Sequence, residues 1–283
     1  MSLKEKWRHL FKVFSNSKGL FACFSIVLSL LLIIGSTYAW LTDDDQRINR
    51  TEANRKELSA RIDEDFEQVF HWAPGTTKIK AVRVTNNGEV PAIVRLSLKE
   101  SFLKFETNVA DNHNPGERNK NGNLVKYTDP IAEANQVKLK DESTWVRDNY
   151  YEASANVFHK VEAVTLGSDF VFKATTRTMP LEAIRLNFPA HIYNTSGEAV
   201  GQTDYWYYEK GFFYYSEVLD PGDSTTNLLE SLTLDPAYTN EFKGAVYKLV
   251  PKMDAHDITR SLLSDWGIDS GDHAHSMYQN KLH

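Results

Sequence analysis

The chain has 283 residues, 25% of them charged, with a formal net charge of −6 and a single cysteine. An acidic balance leaves no net basic footprint for nucleic acid, and one cysteine, Cys23, excludes a disulfide framework and a zinc–thiolate site. At this length folding buries about 70% of the unfolded surface, enough for one large domain or two small ones.

Residues 1–39 read as a targeting segment. Lys4, Lys6, Arg8, Lys12 and Lys18 form a basic start, and Leu20 to Ile34 is almost wholly apolar. Thr37-Tyr38-Ala39 puts small residues at the −3 and −1 positions of a cut between Ala39 and Trp40. A signal peptide is the expectation. An uncleaved anchor helix is the rival, because Gly19 to Leu41 gives 23 mostly apolar residues and about 20 span a bilayer. In either case the basic end stays inside and the chain from Trp40 onward lies outside the cytoplasm, secreted or at the cell surface. Without the leader, 244 residues remain with a net charge of −10 and no cysteine.

Segment 40–70 follows. Asn49 to Val69 is rich in Arg, Glu, Asp and Asn. Leu58, Ile62, Phe66 and Val69 fall at helical spacing and predict a short amphipathic helix. Over Leu58 to Ile62 charges alternate with apolar residues, so a strand is the rival reading. The main domain, 71–266, opens on Trp72-Ala73-Pro74-Gly75, a turn signal. Ile79, Val82 and Val84 predict one strand, and Ile93, Val94, Leu96 and Leu98 within Val90 to Leu98 another. Asn86-Asn87-Gly88 between them reads as a tight hairpin turn, because Asn and Gly tolerate positive φ.

Residues 107–128, with Asp111-Asn112-His113-Asn114-Pro115-Gly116 and Asn119 to Asn123, read as a long polar insertion. Short β-like runs resume at Thr144 to Tyr151 and Val157 to Phe172, and loop signals cluster around Asn194-Thr195-Ser196-Gly197. The aromatic peak is Tyr205, Trp206, Tyr207, Tyr208, Phe212, Phe213, Tyr214 and Tyr215, split by Glu209-Lys210-Gly211. Two core strands joined by a Lys-Gly turn explain it through cross-strand aromatic pairs; a stacking platform for glycan or nucleic acid is the rival. Asp220-Pro221-Gly222-Asp223 turns the chain into Leu228 to Leu234. Phe242 to Val250 is the last predicted strand, and Asp257 to Trp266 a short helix with Asp257 at its cap. Residues 267–283 read as a polar, loose tail. Many short runs between turn signals predict an all-β sandwich with minor helices.

Taken together, these blocks resemble the TasA/camelysin family of exported Gram-positive proteins. The resemblance rests on Thr37-Tyr38-Ala39-Trp40-Leu41-Thr42-Asp43, on Trp72-Ala73-Pro74-Gly75, and on Asn86-Asn87-Gly88 followed by Pro91-Ala92-Ile93-Val94-Arg95-Leu96. The second half, from Tyr205-Trp206-Tyr207-Tyr208 through Leu219-Asp220-Pro221-Gly222 and Leu228-Leu229 to Asp265-Trp266, is similar to larger alternate-signal exported relatives. The resemblance implies a jelly-roll-like β-sandwich, a leader cut by a dedicated signal peptidase, and fibre formation in a biofilm matrix. In such fibres an N-terminal strand completes the sheet of a neighbour, satisfying its open backbone groups. Here the candidate donor segment is Trp40 to Leu58.

Camelysin is described as a metallopeptidase, which makes the metal question direct. A zincin needs two His one helical turn apart with a Glu between them, and the sequence has no such run. His71, His113, His159, His191, His256, His273, His275 and His283 are scattered apart from His273-Ala274-His275, read as an adventitious pair in the tail. Asp254, His256 and Asp257 read as a solvated helix start. There is no Gly-x-Ser-x-Gly elbow, and Asp43-Asp44-Asp45 lacks the spacing of a calcium loop. No catalytic, metal or cofactor residue is assigned, and the chain is read as a non-enzyme. The expectation is an exported cell-surface or extracellular-matrix structural protein whose partners are copies of itself or related matrix proteins. It meets the membrane only through its N-terminal segment. A surface binding module or adhesin is the alternative, and a camelysin-like metallopeptidase the third reading.

Overall fold

The computed structural model describes residues 57–66, 75–108, 123–173, 177–238 and 241–283, all within the unit Asn54–His283. Period-2 patterning sorts them into layers. In β2 (Thr77–Asn86), Lys80, Val82, Val84 and Asn86 are buried while Thr77, Ile79 and Arg83 are exposed, so one face looks inward and the other to solvent. β2 pairs antiparallel with β1 (Ala60–Phe66) on one side and β10 (Leu229–Leu234) on the other. β10 in turn pairs with β6 (Ile184–Asn187), which completes a four-stranded sheet.

The second sheet has seven strands and is organised by β3 (Ala92–Phe105). β11 (Val246–Asp257) runs along nearly all of one side of β3. The other side is shared: β9 (Phe212–Tyr215) takes the N-terminal half and β5 (Val157–Asp169) the C-terminal half. Beyond β9 lie β8 (Trp206–Glu209) and the parallel β7 (Ile192–Tyr193), and beyond β5 lies β4 (Tyr150–Ser154). β3 is buried on both faces because Val94, Leu96, Leu98 and Phe102 point to the other sheet, whereas Ile93 and Leu103 meet outer segments.

The two sheets pack face to face on one core. Val82, Val84, Leu229 and Leu232 from the first meet Leu96, Phe102, Trp206 and Phe213 from the second. Burying each such large side chain stabilises the fold by about 1.5–3 kcal/mol. The all-β expectation holds, and the helices α1 (Ser196–Ala199), α2 (Ser261–Asp265) and α3 (His273–Tyr278) are short. No helix among the described residues is long and apolar enough to cross a membrane.

Four expectations are corrected. β2 and β3 form where predicted but are not a hairpin, since they lie in different sheets. Both sides of β2 are already taken, so Asn86-Asn87-Gly88 carries the chain from one layer to the other. The Asn86 side chain accepts from Gly88 N–H (3.0 Å) and donates to the carbonyls of Val90 and Leu219 (2.8 Å each). The helix expected from Leu58 to Val69 is strand β1 over Ala60–Phe66, so the alternation there outweighs the helical spacing. Asp257 ends β11, and α2 starts after Arg260 with no side-chain cap. Residues 267–283, expected to be loose, form a packed strap instead: Ile268, Ala274, Tyr278 and Leu282 are buried with Ile93 and Tyr214 on the outer face of the second sheet.

Candidate functional site

The expected cleavage pair, Ala39 and Trp40, lies outside the described residues, as does the candidate donor segment except for Glu57 and Leu58. Residues 109–122 of the polar insertion lie outside them too. The base of the insertion is paired: Asn108 N–H donates to Asn123 O (2.8 Å) and Val125 N–H to Glu106 O (3.0 Å). What can be built from the residues upward is the edge of the first sheet onto which the donor segment leads.

β1 pairs with β2 from Ala60↔Asn86 to Phe66↔Lys80 without a register shift, and among the described residues it has no strand on its other side. Three local devices seat it. The Glu57–Ser59 backbone crosses directly over Gly88, and Glu89 N–H donates to Glu57 O at 2.7 Å. A Cβ on Gly88 would lie 2.5 Å from Ser59 N and 2.6 Å from Glu57 O. Close approach, and not a positive φ, therefore requires glycine there. On the outer face Asp63 accepts from Thr85 Oγ1 (2.5 Å) and Arg61 Nε (2.8 Å), with Arg83 Nε at 3.7 Å. The Thr85 hydroxyl, helped by the two arginines, holds the Asp63 carboxyl below the usual carboxylate range. On the inner face Ala60 and Ile62 pack half-buried against the core.

The other edges are blunted. β11 carries Pro251 in its middle, which has no N–H to offer, between the exposed Lys248 and Lys252. Over Glu162–Asp169 β5 has β3 on one side and, among the described residues, no strand on the other. That stretch holds a bulge between the Glu100 and Phe102 pairings, where Gly167 (φ 56°) donates its N–H to Ser101 Oγ at 3.0 Å. Bulges twist an edge away from flat pairing. β4 is bridged at Tyr150 by Gln136, and β6 and β7 are only four and two residues long. Among the described residues β1 is left as the unpaired edge, guarded by the charges of Arg61 and Asp63.

The aromatic block is core, as its cross-strand reading predicts. Lys210 and Gly211 both take positive φ (49° and 89°), forming the two-residue turn that joins β8 and β9. Tyr205, Trp206, Tyr207, Phe213, Tyr214 and Tyr215 are buried. Trp206 Nε1 donates to Thr226 O (3.0 Å), and Phe213 sits among Phe172, Phe188 and Tyr208 with ring centres 4.8–5.8 Å away. Burial pushes the Tyr215 hydroxyl up to about 12. A stacking platform needs these ring faces open, and they are closed.

Two buried charge clusters were passed over in the sequence. Glu100 is 1% exposed between the sheets. It accepts from the Arg177 guanidinium and from Tyr247 Oη (2.7 Å), while Arg177 also donates to Ile184 O. Burial raises the Glu100 pKa despite these partners, and raises that of Tyr247 strongly. On the outer face, the Arg95 guanidinium carbon lies 3.9 Å from the Phe212 ring centre and 4.7 Å from that of Trp266. Arg95 donates to Asp254 (3.0 Å) and to Trp266 O (3.1 Å), which fastens the strap to the sheet. The first leaves a signal in the sequence: Glu100 is in phase with Leu96 and Leu98, a charge on an inward stripe.

The described histidines do not converge. His159 bonds Val125 O (2.8 Å), His191 bonds Asn227 O (2.9 Å), and His256 lies between Asp257 and Asp265 (2.9 Å each). Asp254 is engaged by Arg95. His273 and His275 sit two residues apart on helix α3, so they point to different sides. Among the described residues no group of three or more His, Cys, Asp or Glu is placed to hold a metal ion. No family model, curated protein or solved structure matches the chain.

Proposed function

We propose that this chain is an exported structural protein of the cell surface or extracellular matrix, similar to TasA and camelysin, that assembles by β-strand complementation. In this reading the leader is cut between Ala39 and Trp40, and the Trp40 to Leu58 segment of one copy adds to a sheet edge of the next. The jelly-roll-like form of the two-sheet sandwich belongs to the same reading. The observation that carries it is the position of β1. Among the described residues it is an edge strand that pairs only with β2, and it starts where the candidate donor segment ends. The blunting of the other edges adds support, because polymerisation by strand addition then depends on the N-terminal side of the fold and not on accidental edge pairing. The binding-module alternative loses its aromatic platform to the core.

The test is deletion of residues 40–58 from the secreted chain, followed by light scattering and electron microscopy of the purified protein. A folded monomer in place of polymers supports the proposal. Polymers that persist without the segment sink it.

A further inference from the structure

We infer that the C-terminal strap, residues 258–283, is an acid-released latch over the outer aromatic face of the second sheet, with His273 as its trigger. The inference stands apart from the proposed mode of assembly.

The strap is held mainly by the β8–β9 hairpin. Glu209 accepts the N–H groups of His273 and Ala274 (3.1 Å each), and Lys210 bonds Asp269 (2.8 Å) and Asp272 (2.7 Å). Tyr278 Oη donates to Tyr215 O (2.7 Å), and Lys281 reaches Glu217 (2.8 Å). Beneath it lie Ile93, Phe212 and Tyr214, an apolar face that opening would expose.

His273 is the weak point of this cover. Its ring lies against Tyr207, centroids 4.1 Å apart, and its Nε2 is buried without a hydrogen-bond partner. A proton added there finds no acceptor among the described residues, and burying a charge without a partner is costly. The titratable and charged groups around it are Glu209, whose carboxylate takes its backbone N–H, Lys210 and Asp272, bonded to one another, His275 two residues on, and Glu198 of α1, whose charge acts on Tyr207. Glu209 pulls the imidazole towards protonation, but burial outweighs it and holds His273 below the ordinary value of 6.5. The open strap therefore binds the proton more readily than the closed one. Closure is fully favoured above 6.5 and weakens as pH falls towards the depressed value. Each unit of depression multiplies the open fraction by up to about ten. The strap's carboxylates Asp265 and Asp272, and their neighbour Glu217, are all held below their ordinary range, so mild acid leaves them charged. His256 of β11 bonds Asp265 at 2.9 Å.

Hydrogen exchange on the purified full chain tests the latch, with protection factors corrected for intrinsic rates at pH 7.5 and 5.5. Amides from Leu262 to Leu282 are expected to lose threefold to tenfold protection at pH 5.5 while those of β3 and β11 keep theirs. His273→Phe, which retains the stack on Tyr207, is expected to abolish that loss. An unchanged strap, or the same loss in His273→Phe, overturns the inference. An NMR titration of the His273 ring gives the independent check: a folded-state pKa at or above 6.5 overturns it even where the variant itself loosens the strap.

Discussion

Arg177→Met tests the buried pair between the sheets. Glu100 is 1% exposed and, among the described residues, keeps only Tyr247 Oη, at 2.7 Å, once the guanidinium is gone. Removing one partner of a buried ion pair costs about 3–5 kcal/mol, because the remaining charge is stranded in a low dielectric. The carbonyl of Ile184 also loses its donor, which adds about 1 kcal/mol. The double variant Glu100→Gln/Arg177→Met removes the stranded charge, and its deficit is expected to fall to about 1–2 kcal/mol. A double-mutant cycle by urea unfolding at pH 7 reads the coupling directly.

A pH series supplies a second axis. Burial already raises the Glu100 pKa above its ordinary 4.5 with Arg177 present, and without the guanidinium it rises further. A carboxyl with a raised folded-state pKa favours the folded state below 4.5 and loses that contribution as pH climbs through the raised value. The Arg177→Met deficit is therefore expected to shrink between pH 8 and pH 5 as Glu100 takes up its proton. A deficit below about 1 kcal/mol, an equal deficit at both pH values, or a double variant as unstable as the single one would refute the reasoning.

Two further predictions concern the seat of β1. Gly88→Ala drives a methyl into the Glu57–Ser59 backbone, at 2.5–2.6 Å; the overpacking costs about 1–3 kcal/mol and should loosen β1 while β3 and β11 keep their exchange protection, so an unchanged unfolding midpoint counts against it. Thr85→Val removes the hydroxyl that chiefly depresses the Asp63 pKa, and solvent screening limits the loss to about 0.5–1 kcal/mol at pH 7. Because a depressed carboxylate contributes stability above its unfolded value and loses it as pH falls through the folded one, the difference from the parent should vanish near pH 2; a difference that persists there places the effect in packing.

The strands of β2, β3, β8, β9 and β10 are legible because alternation and β-branched or aromatic content are local signals. Their partners are not. Asn86-Asn87-Gly88 has the chemistry of a hairpin turn, yet what the sequence encodes there is tolerance of tight backbone, and the occupied sides of β2 decide that the chain crosses to the other sheet. The aromatic turn at Lys210-Gly211 is read correctly because two residues suffice to fix a hairpin whose strands have no competing partner between them.

The tail shows the opposite failure. Ala274, Tyr278 and Leu282 recur every fourth residue among polar neighbours, a helical stripe too short to stand on its own. It forms because Ile93 and Tyr214 offer an apolar face and Glu209 takes the first free N–H groups of α3. A segment stabilised by its receptor surface reads as loose from its own composition. The same holds for β1, where helical spacing competes with alternation until Thr85, Arg83 and Gly88 are placed beside it. The two elements least legible in the sequence are thus the two whose order is borrowed from the sheets they cover or extend.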